Sequence, residues 1–247
     1  MAISRAQLAK ELEPGLNALF GMEYDRYENQ HAEIYTTESS DRAFEEEVML
    51  SGFGAAPNKS EGNAVNFDDA GEAYTARYNN ETIALAFSIT EEAIEDNLYD
   101  RLGSRYTRAL ARSMAHTKQV KAASILNNAF TGGASAGGDG VALCSTAHPL
   151  VNGGTLSNTP AVASDLNETS LEDALINIAG YVDERGLKVA LRGMKLILPR
   201  QLQFIAERIM VSNLRVGTAD NDTNAIKSMG MVPDGYTVND FLSDPDA

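Results

Sequence analysis

The sequence predicts a mixed α+β protein, and three observations carry that reading. A proline-free run from residue 91 to about 130 keeps helical periodicity. Two strand-like stretches flank a Gly-, Pro- and Asn-rich segment near residues 51–63. After residue 170, helix, strand and helix signals follow one another, as in an α+β or α/β substructure.

From the N-terminus, Leu8, Leu12, Leu16, Leu19 and Phe20 form short apolar clusters that Pro14-Gly15 interrupts, which predicts an arm over residues 1–43 with little core of its own. Phe44–Leu50 reads as a strand. The run Ser51-Gly52-Phe53-Gly54-Ala55-Ala56-Pro57-Asn58-Lys59-Ser60-Glu61-Gly62-Asn63 cannot hold regular structure, and strand character returns at Ala73–Tyr78. The expectation is an extended β-hairpin over 44–82 with a flexible tip. Thr82–Ile89 alternates strictly, with Ile83, Leu85, Phe87 and Ile89 on one face, and predicts a half-buried strand.

Thr90 offers an N-cap oxygen, and Glu91, Glu92 and Glu95 suit the positive end of a helix dipole. A helix over about 91–130 would be about 60 Å long at 1.5 Å per residue, with Gly103 its weak point. Ile94, Leu98, Leu102, Tyr106, Leu110 and Met114 form a stripe that drifts around the axis, so one flat partner cannot cover it. Arg101, Arg105, Arg108 and Arg112 fall within about 60° of one another and form a cationic ridge. The small-residue run 131–140 marks a boundary. Beyond it, Ser170 is read as the cap of a helix carrying Leu171, Leu175 and Ile178 that ends at Gly186. Met194–Leu198 reads as a strand, and Pro199 opens a helix with Leu202, Ile205, Ala206 and Ile209 at helical spacing.

Charge and chemistry exclude more than they include. The net charge of -15 disfavours general nucleic-acid binding, because phosphate backbones repel an acidic surface. The charge is uneven: residues 101–130 hold six bases and no acid, an arrangement suited to a solvated face, to a DNA backbone contact or to acidic residues on a neighbouring copy. A single cysteine, Cys144, allows no internal disulfide and fits a reducing cytoplasm. No apolar run is long enough to span a membrane, and the first twenty residues lack a signal-peptide core. His31, His116 and His148 stand at no metal-ligand spacing, so no metal or cofactor is expected. The Gly-rich run after the long helix lacks the Lys-Ser/Thr ending of a phosphate loop, and the carboxylates Glu45–Glu47 and Asp68–Asp69 lack a calcium-loop pattern. Cys144 and His148 lie four apart and invite a nucleophile reading, a Cys/His hydrolase, but no orienting carboxylate is evident.

The wording Leu12-Glu13-Pro14-Gly15-Leu16-Asn17, Ser51-Gly52-Phe53-Gly54-Ala55-Ala56-Pro57-Asn58, Ser88-Ile89-Thr90-Glu91-Glu92 and Ser145-Thr146-Ala147-His148-Pro149 resembles the major capsid protein of tailed phages. The likeness is to the Hong Kong 97-type fold and its Mu-like head-subunit branch, over nearly the whole chain. It implies an N-terminal arm (1–43), an extended loop (44–82), a peripheral domain (83–134) with a spine helix, and an axial domain (135–247). The family usually returns to the peripheral domain through a last set of strands, so further C-terminal sequence beyond Ala247 is expected. The implied function is a structural, non-enzymatic subunit that self-assembles into hexamers and pentamers of an icosahedral shell around double-stranded DNA, in the virion, after synthesis in the host cytoplasm. Implied partners are a separate scaffolding protein, a portal and a decoration protein, with only weak nonspecific DNA contact and no membrane. A cellular encapsulating shell of the same fold is the alternative. The candidate inter-subunit contacts are Arg101, Arg105, Arg108, Arg112, Phe53, Pro57 and Lys59; no crosslinking pair is assigned.

Overall fold

The fold is taken from a computed structural model, which describes residues 16–88, 90, 99–132, 136–151, 153–215 and 222–243. Two compact units form: Met1–Thr37 with Glu81–Ala123, and Glu38–Asn80 with Ser124–Ala247.

In the first unit, α1 covers residues 16–25 and a 3-10 turn follows at Gln30–Glu33. The long helix α2 is Tyr99–Asn127. The expected start at 91, the capping role of Thr90 and the upper part of the apolar stripe lie outside the described residues. The helix ends before 130, since residues 128–130 form turns. Its buried side also differs from the expected one. Thr107, Ala111, Ala115, Gln119 and Ala123 are buried at every fourth position, while Tyr106, one position earlier, is half exposed. Small side chains let neighbouring backbone approach closely, and closeness rather than hydropathy selects the inward face here. Gln119 makes that contact specific: its Oε1 accepts from His31 N at 3.2 Å and its Nε2 donates to Glu28 O at 3.1 Å.

Thr82–Ser88 is not a ladder strand. It is extended, and its backbone makes no hydrogen bond to a described residue. Glu81 pairs with Lys121 and the Phe87 ring lies 5.9 Å from that of Tyr106. Six extended residues cover about 20 Å, and the fifteen helical steps from Lys121 back to Tyr106 cover about 22 Å, so the segment lies antiparallel along α2. Alternation defined its faces but supplied no partner for its edges.

In the second unit, β1 (Phe44–Leu50) and β2 (Glu72–Asn79) form the expected antiparallel hairpin, with an irregularity between Val48 and Leu50. The short pair β3 (His148–Pro149) and β4 (Thr155–Leu156) closes through Gly153 and Gly154, both at positive φ. Helix α3 is Glu168–Ala179. Its N-cap is Asn167 rather than Ser170: Asn167 Oδ1 accepts from Ser170 N, and Ser170 Oγ accepts from Asn167 N, so the two residues cap each other. The helix stops at Gly180, not Gly186, because Val182 pairs with Lys188 and bends the chain away.

Strand β5 (Leu196–Pro199) pairs in parallel with β6 (Tyr236–Asn239). A parallel pair needs a crossover, and this one carries a 3-10 turn at Arg200–Leu202, then α4 (Gln203–Val211) and α5 (Ala225–Met229). Leu171, Leu175, Ile209, Ile226 and Val232 form the core. Asn224 fixes the crossover: with 2 % exposure, it donates to Ile209 O and Ser212 O, and its Oδ1 accepts from Lys227 N as the cap of α5. Gly193 passes so close to Leu175 that a Cβ there would lie 2.5 Å from the Leu175 side chain.

Candidate functional site

The pleat sorts the hairpin into two faces. Glu45, Glu47, Met49, Tyr74, Ala76 and Tyr78 share one face, and Phe44, Glu46, Val48 and Arg77 the other. On the second face, the Arg77 guanidinium sits 3.9 Å from the Phe44 ring centroid and pairs with Glu46 at 2.8 Å. The first face meets the body of the unit. Tyr74 OH donates to Pro149 O at 2.8 Å, and Gly138 lies so near the Ala76 backbone that a Cβ would come within 3.1 Å of its nitrogen. Between them remains a cavity of about 440 Å³ whose walls include Met49, Tyr74, His148, Val182 and Glu184.

The root of the tip is held as firmly. Ser51 is buried, donates its N–H to Gly71 O and accepts from Gly71 N on its hydroxyl. Gly52 N donates to Glu184, and Arg185 donates to Asp69 O and lies beside Asp68. Asp68 Oδ2 accepts from Gly54 N at 2.7 Å. That hydrogen bond, with the Arg185 charge behind it, holds the Asp68 carboxyl below the ordinary carboxylate value. Sequence reasoning missed Arg185, Glu184 and Tyr74, because their partners lie 75 to 134 residues away.

Beyond this root the hairpin exposes large apolar groups: Leu50 at 71 %, Phe53 at 62 % and Phe67 at 97 %. Phe53, Pro57 and Lys59 come together on the tip and line one concavity with Val65 and Phe67. In the first unit, Arg105, Arg108 and Arg112 all face solvent on α2; the side chain of Arg101 lies outside the described residues. Arg108 pairs with Glu23 at 3.3 Å. A shallow groove of about 520 Å³ lies over Arg108 and Arg112, with Tyr27, Ser113 and His116 in its wall.

Cys144 and His148 do not pair. His148 Nδ1 meets Asp139 Oδ2 at 2.6 Å, a carboxylate the sequence reading did not find, and Nε2 is buried without a hydrogen-bond partner among the described residues. Burial raises the Cys144 thiol above its ordinary pKa, which keeps it protonated at neutral pH, the reverse of an activated nucleophile. Among the described residues no cluster of three His, Cys, Asp or Glu could hold a metal ion, and no described helix is long and apolar enough to cross a membrane.

A family model described as phage capsid protein matches residues 44–247. The fold is similar to that of a chain of the procapsid of bacteriophage JBD30, with a TM-score of 0.64 and 15% identity over 97% of this chain and 100% of that one. It is also similar to a chain of the JBD30 capsid (TM-score 0.59, 13% identity, 83% of this chain and 88% of that one). A chain of the JBD30 capsid decorated with minor capsid protein trimers gives TM-score 0.59 and 14% identity over 88% of this chain and 92% of that one. Comparison with curated protein sequences gives no match.

Proposed function

This chain belongs to the phage capsid protein family and serves as a major capsid protein of a tailed bacteriophage, and from that premise we propose that it builds an icosahedral head from hexamers and pentamers through a Hong Kong 97-type subunit. The observation that carries the proposal is the hairpin: its root is held by hydrogen bonds, and the apolar side chains of its tip stay exposed among the described residues. Phe53, Val65 and Phe67 gather in one exposed concavity, the kind of surface that marks an interaction site and that a neighbour in a shell would cover. In this reading residues 1–43 form the arm, 44–82 the extended loop, 83–134 the peripheral domain around α2, and 135–247 the axial domain.

Phe53, Pro57 and Lys59 on the tip and Arg101, Arg105, Arg108 and Arg112 on α2 are the contacts between copies. The role is structural rather than enzymatic, consistent with a protonated Cys144 and with His148 held by Asp139. A scaffolding protein, a portal and a decoration protein are the further partners; decoration has its parallel in the JBD30 capsid that carries minor capsid protein trimers. Assembly takes place in the host cytoplasm, and the enclosed DNA meets the shell only weakly, given the acidic chain. The family match favours the phage head over a cellular encapsulating shell.

Negative-stain electron microscopy of the purified chain, expressed with and without its candidate scaffold, tests this function. Uniform closed shells are expected. A small monodisperse species under both conditions would refute it.

A further inference from the structure

We infer that the turn Asp183–Gly186 is a clamp that sets the direction in which the β1–β2 hairpin leaves its unit, with Arg185 as its positioning residue, and that this direction keeps assembled shells uniform. The inference rests on the shell-forming reading above and names the residue that orients its contact element.

Three observations support it. First, one turn grips both legs of the tip. Glu184 Oε1 accepts from Gly52 N on the outgoing leg, while Arg185 Nη2 donates to Asp69 O on the returning leg and reaches Ser51 Oγ at 3.5 Å. Arg185 Nη1 lies 3.9 Å from Asp68 Oδ1, and only 14% of the side chain is exposed, a depth an arginine reaches when its charge and donors are engaged. Second, the turn is fixed from behind. Asp183 Oδ1 accepts from both Arg185 N and Leu187 N, Gly186 closes the turn at a φ of 85°, and Val182 pairs with Lys188. Further along, Ala190 holds a left-handed φ of 53°, a strained conformation that persists only where the surroundings over-determine it. Gly193 then lies against Leu175, so the clamp is tied to the core of the unit.

Third, the geometry makes the clamp the sensitive point. The hairpin meets the body at Tyr74 and Ala76 and again at the clamp, and the space between these holds is a cavity of about 440 Å³, so packing does not replace either of them. Ala76 stands opposite Glu47, which places the two holds four residues apart on the outgoing leg, or about 13 Å. Residues 53–67 can carry the tip at most about 25 Å further. By that ratio, about 1 Å of slack at the clamp becomes about 3 Å at the far end. Copies that meet through the tip close into one kind of shell only when each presents it at the same angle.

The test uses the full chain carrying Arg185→Ala, Arg185→Lys or the core substitution Leu198→Ala. In Arg185→Ala the circular dichroism and melting temperature should stay near wild type, because Arg185 lies outside the core, while hydrogen exchange of the Gly52, Gly54 and Gly71 amides should quicken roughly tenfold. Its particles in negative stain should spread in diameter and include open shells. Arg185→Lys keeps the charge beside Asp68 but loses the flat fork of donors, and its spread should be intermediate. Leu198→Ala should melt lower without widening the diameters, which separates orientation from stability.

The inference is overturned if Arg185→Ala particles are as uniform as wild type, if exchange at the three glycines is unchanged, or if Leu198→Ala widens the diameters as much. Should Arg185→Ala fail to fold or form no particles, Arg185→Lys decides: a spread wider than wild type supports the clamp, and uniform or absent particles remove it. Wild-type particles separate the two levels of argument. Their absence brings down the shell reading and this inference together, whereas their presence with a uniform Arg185→Ala brings down this inference alone.

Discussion

The second unit contains two apolar surfaces that met different fates. Around α3, α4 and α5 the apolar side chains close on each other, and Leu198 on β5 is left with 2 % exposure. In the hairpin the strands pair along their length apart from the irregularity between Val48 and Leu50, yet Leu50, Phe53 and Phe67 remain open to solvent. Backbone pairing and side-chain burial are therefore separate achievements. The helical region satisfies both within one chain; the hairpin satisfies the first alone among the described residues. Stability should reside in the first region and association in the second.

The sharpest way to break this contrast is to delete residues 54–62. Particle formation should disappear while the far-ultraviolet circular dichroism and melting temperature of the remaining chain stay near wild type, since Ser51 and Gly71 still close the root. Normal particles from the deletion would contradict the role assigned to the tip.

The opposite substitution is Leu198→Ala. It should cost about 2–5 kcal/mol in urea unfolding, because the buried site on β5 would lose both transfer energy and packing. Asn224→Ala should follow at about 1–3 kcal/mol, taking their partner from the buried Ile209 carbonyl of α4 and from the Lys227 N–H of α5. An equal loss from Phe67→Ala in the isolated subunit would erase the distinction between the two regions.

The smallest effect is a pH dependence at the tip. Folding lowers the Asp68 pKa, chiefly through the Gly54 N–H, so its contribution is complete above the unfolded value of about 3.9 and is lost as pH falls through the lower folded value. The Gly54 amide resonance should titrate in that acid range and become flat in Asp68→Asn. A flat Gly54 signal in the wild type would show that the carboxylate does not order the tip.

Local signals made much of this legible in advance. Strand-like character at 44–50 and 73–78, with a turn-rich run between them, marked the hairpin, and helical spacing marked α2 and its arginines. The Asn167–Ser170 cap was misread by three residues, because either side chain offers an oxygen and only the backbone conformation at Asn167 selects one. Asp139, Arg185 and Tyr74 carried no signal, since each acts on residues far from it in sequence or on a loop of unpredictable path.

What the sequence determined by itself was periodicity and charge: which stretches extend, which coil, and where an acidic chain places its one basic helix. These follow from side-chain spacing against fixed repeats of the backbone. Tertiary structure alone decided which edges and faces found partners. Thr82–Ser88 alternates as strictly as any strand here, yet lies along α2 with no backbone hydrogen bond to a described residue, while Ala111 and Ala115 turn inward in place of Tyr106. A ladder or a close contact requires a second segment at the right distance, and no periodicity within one segment can specify it.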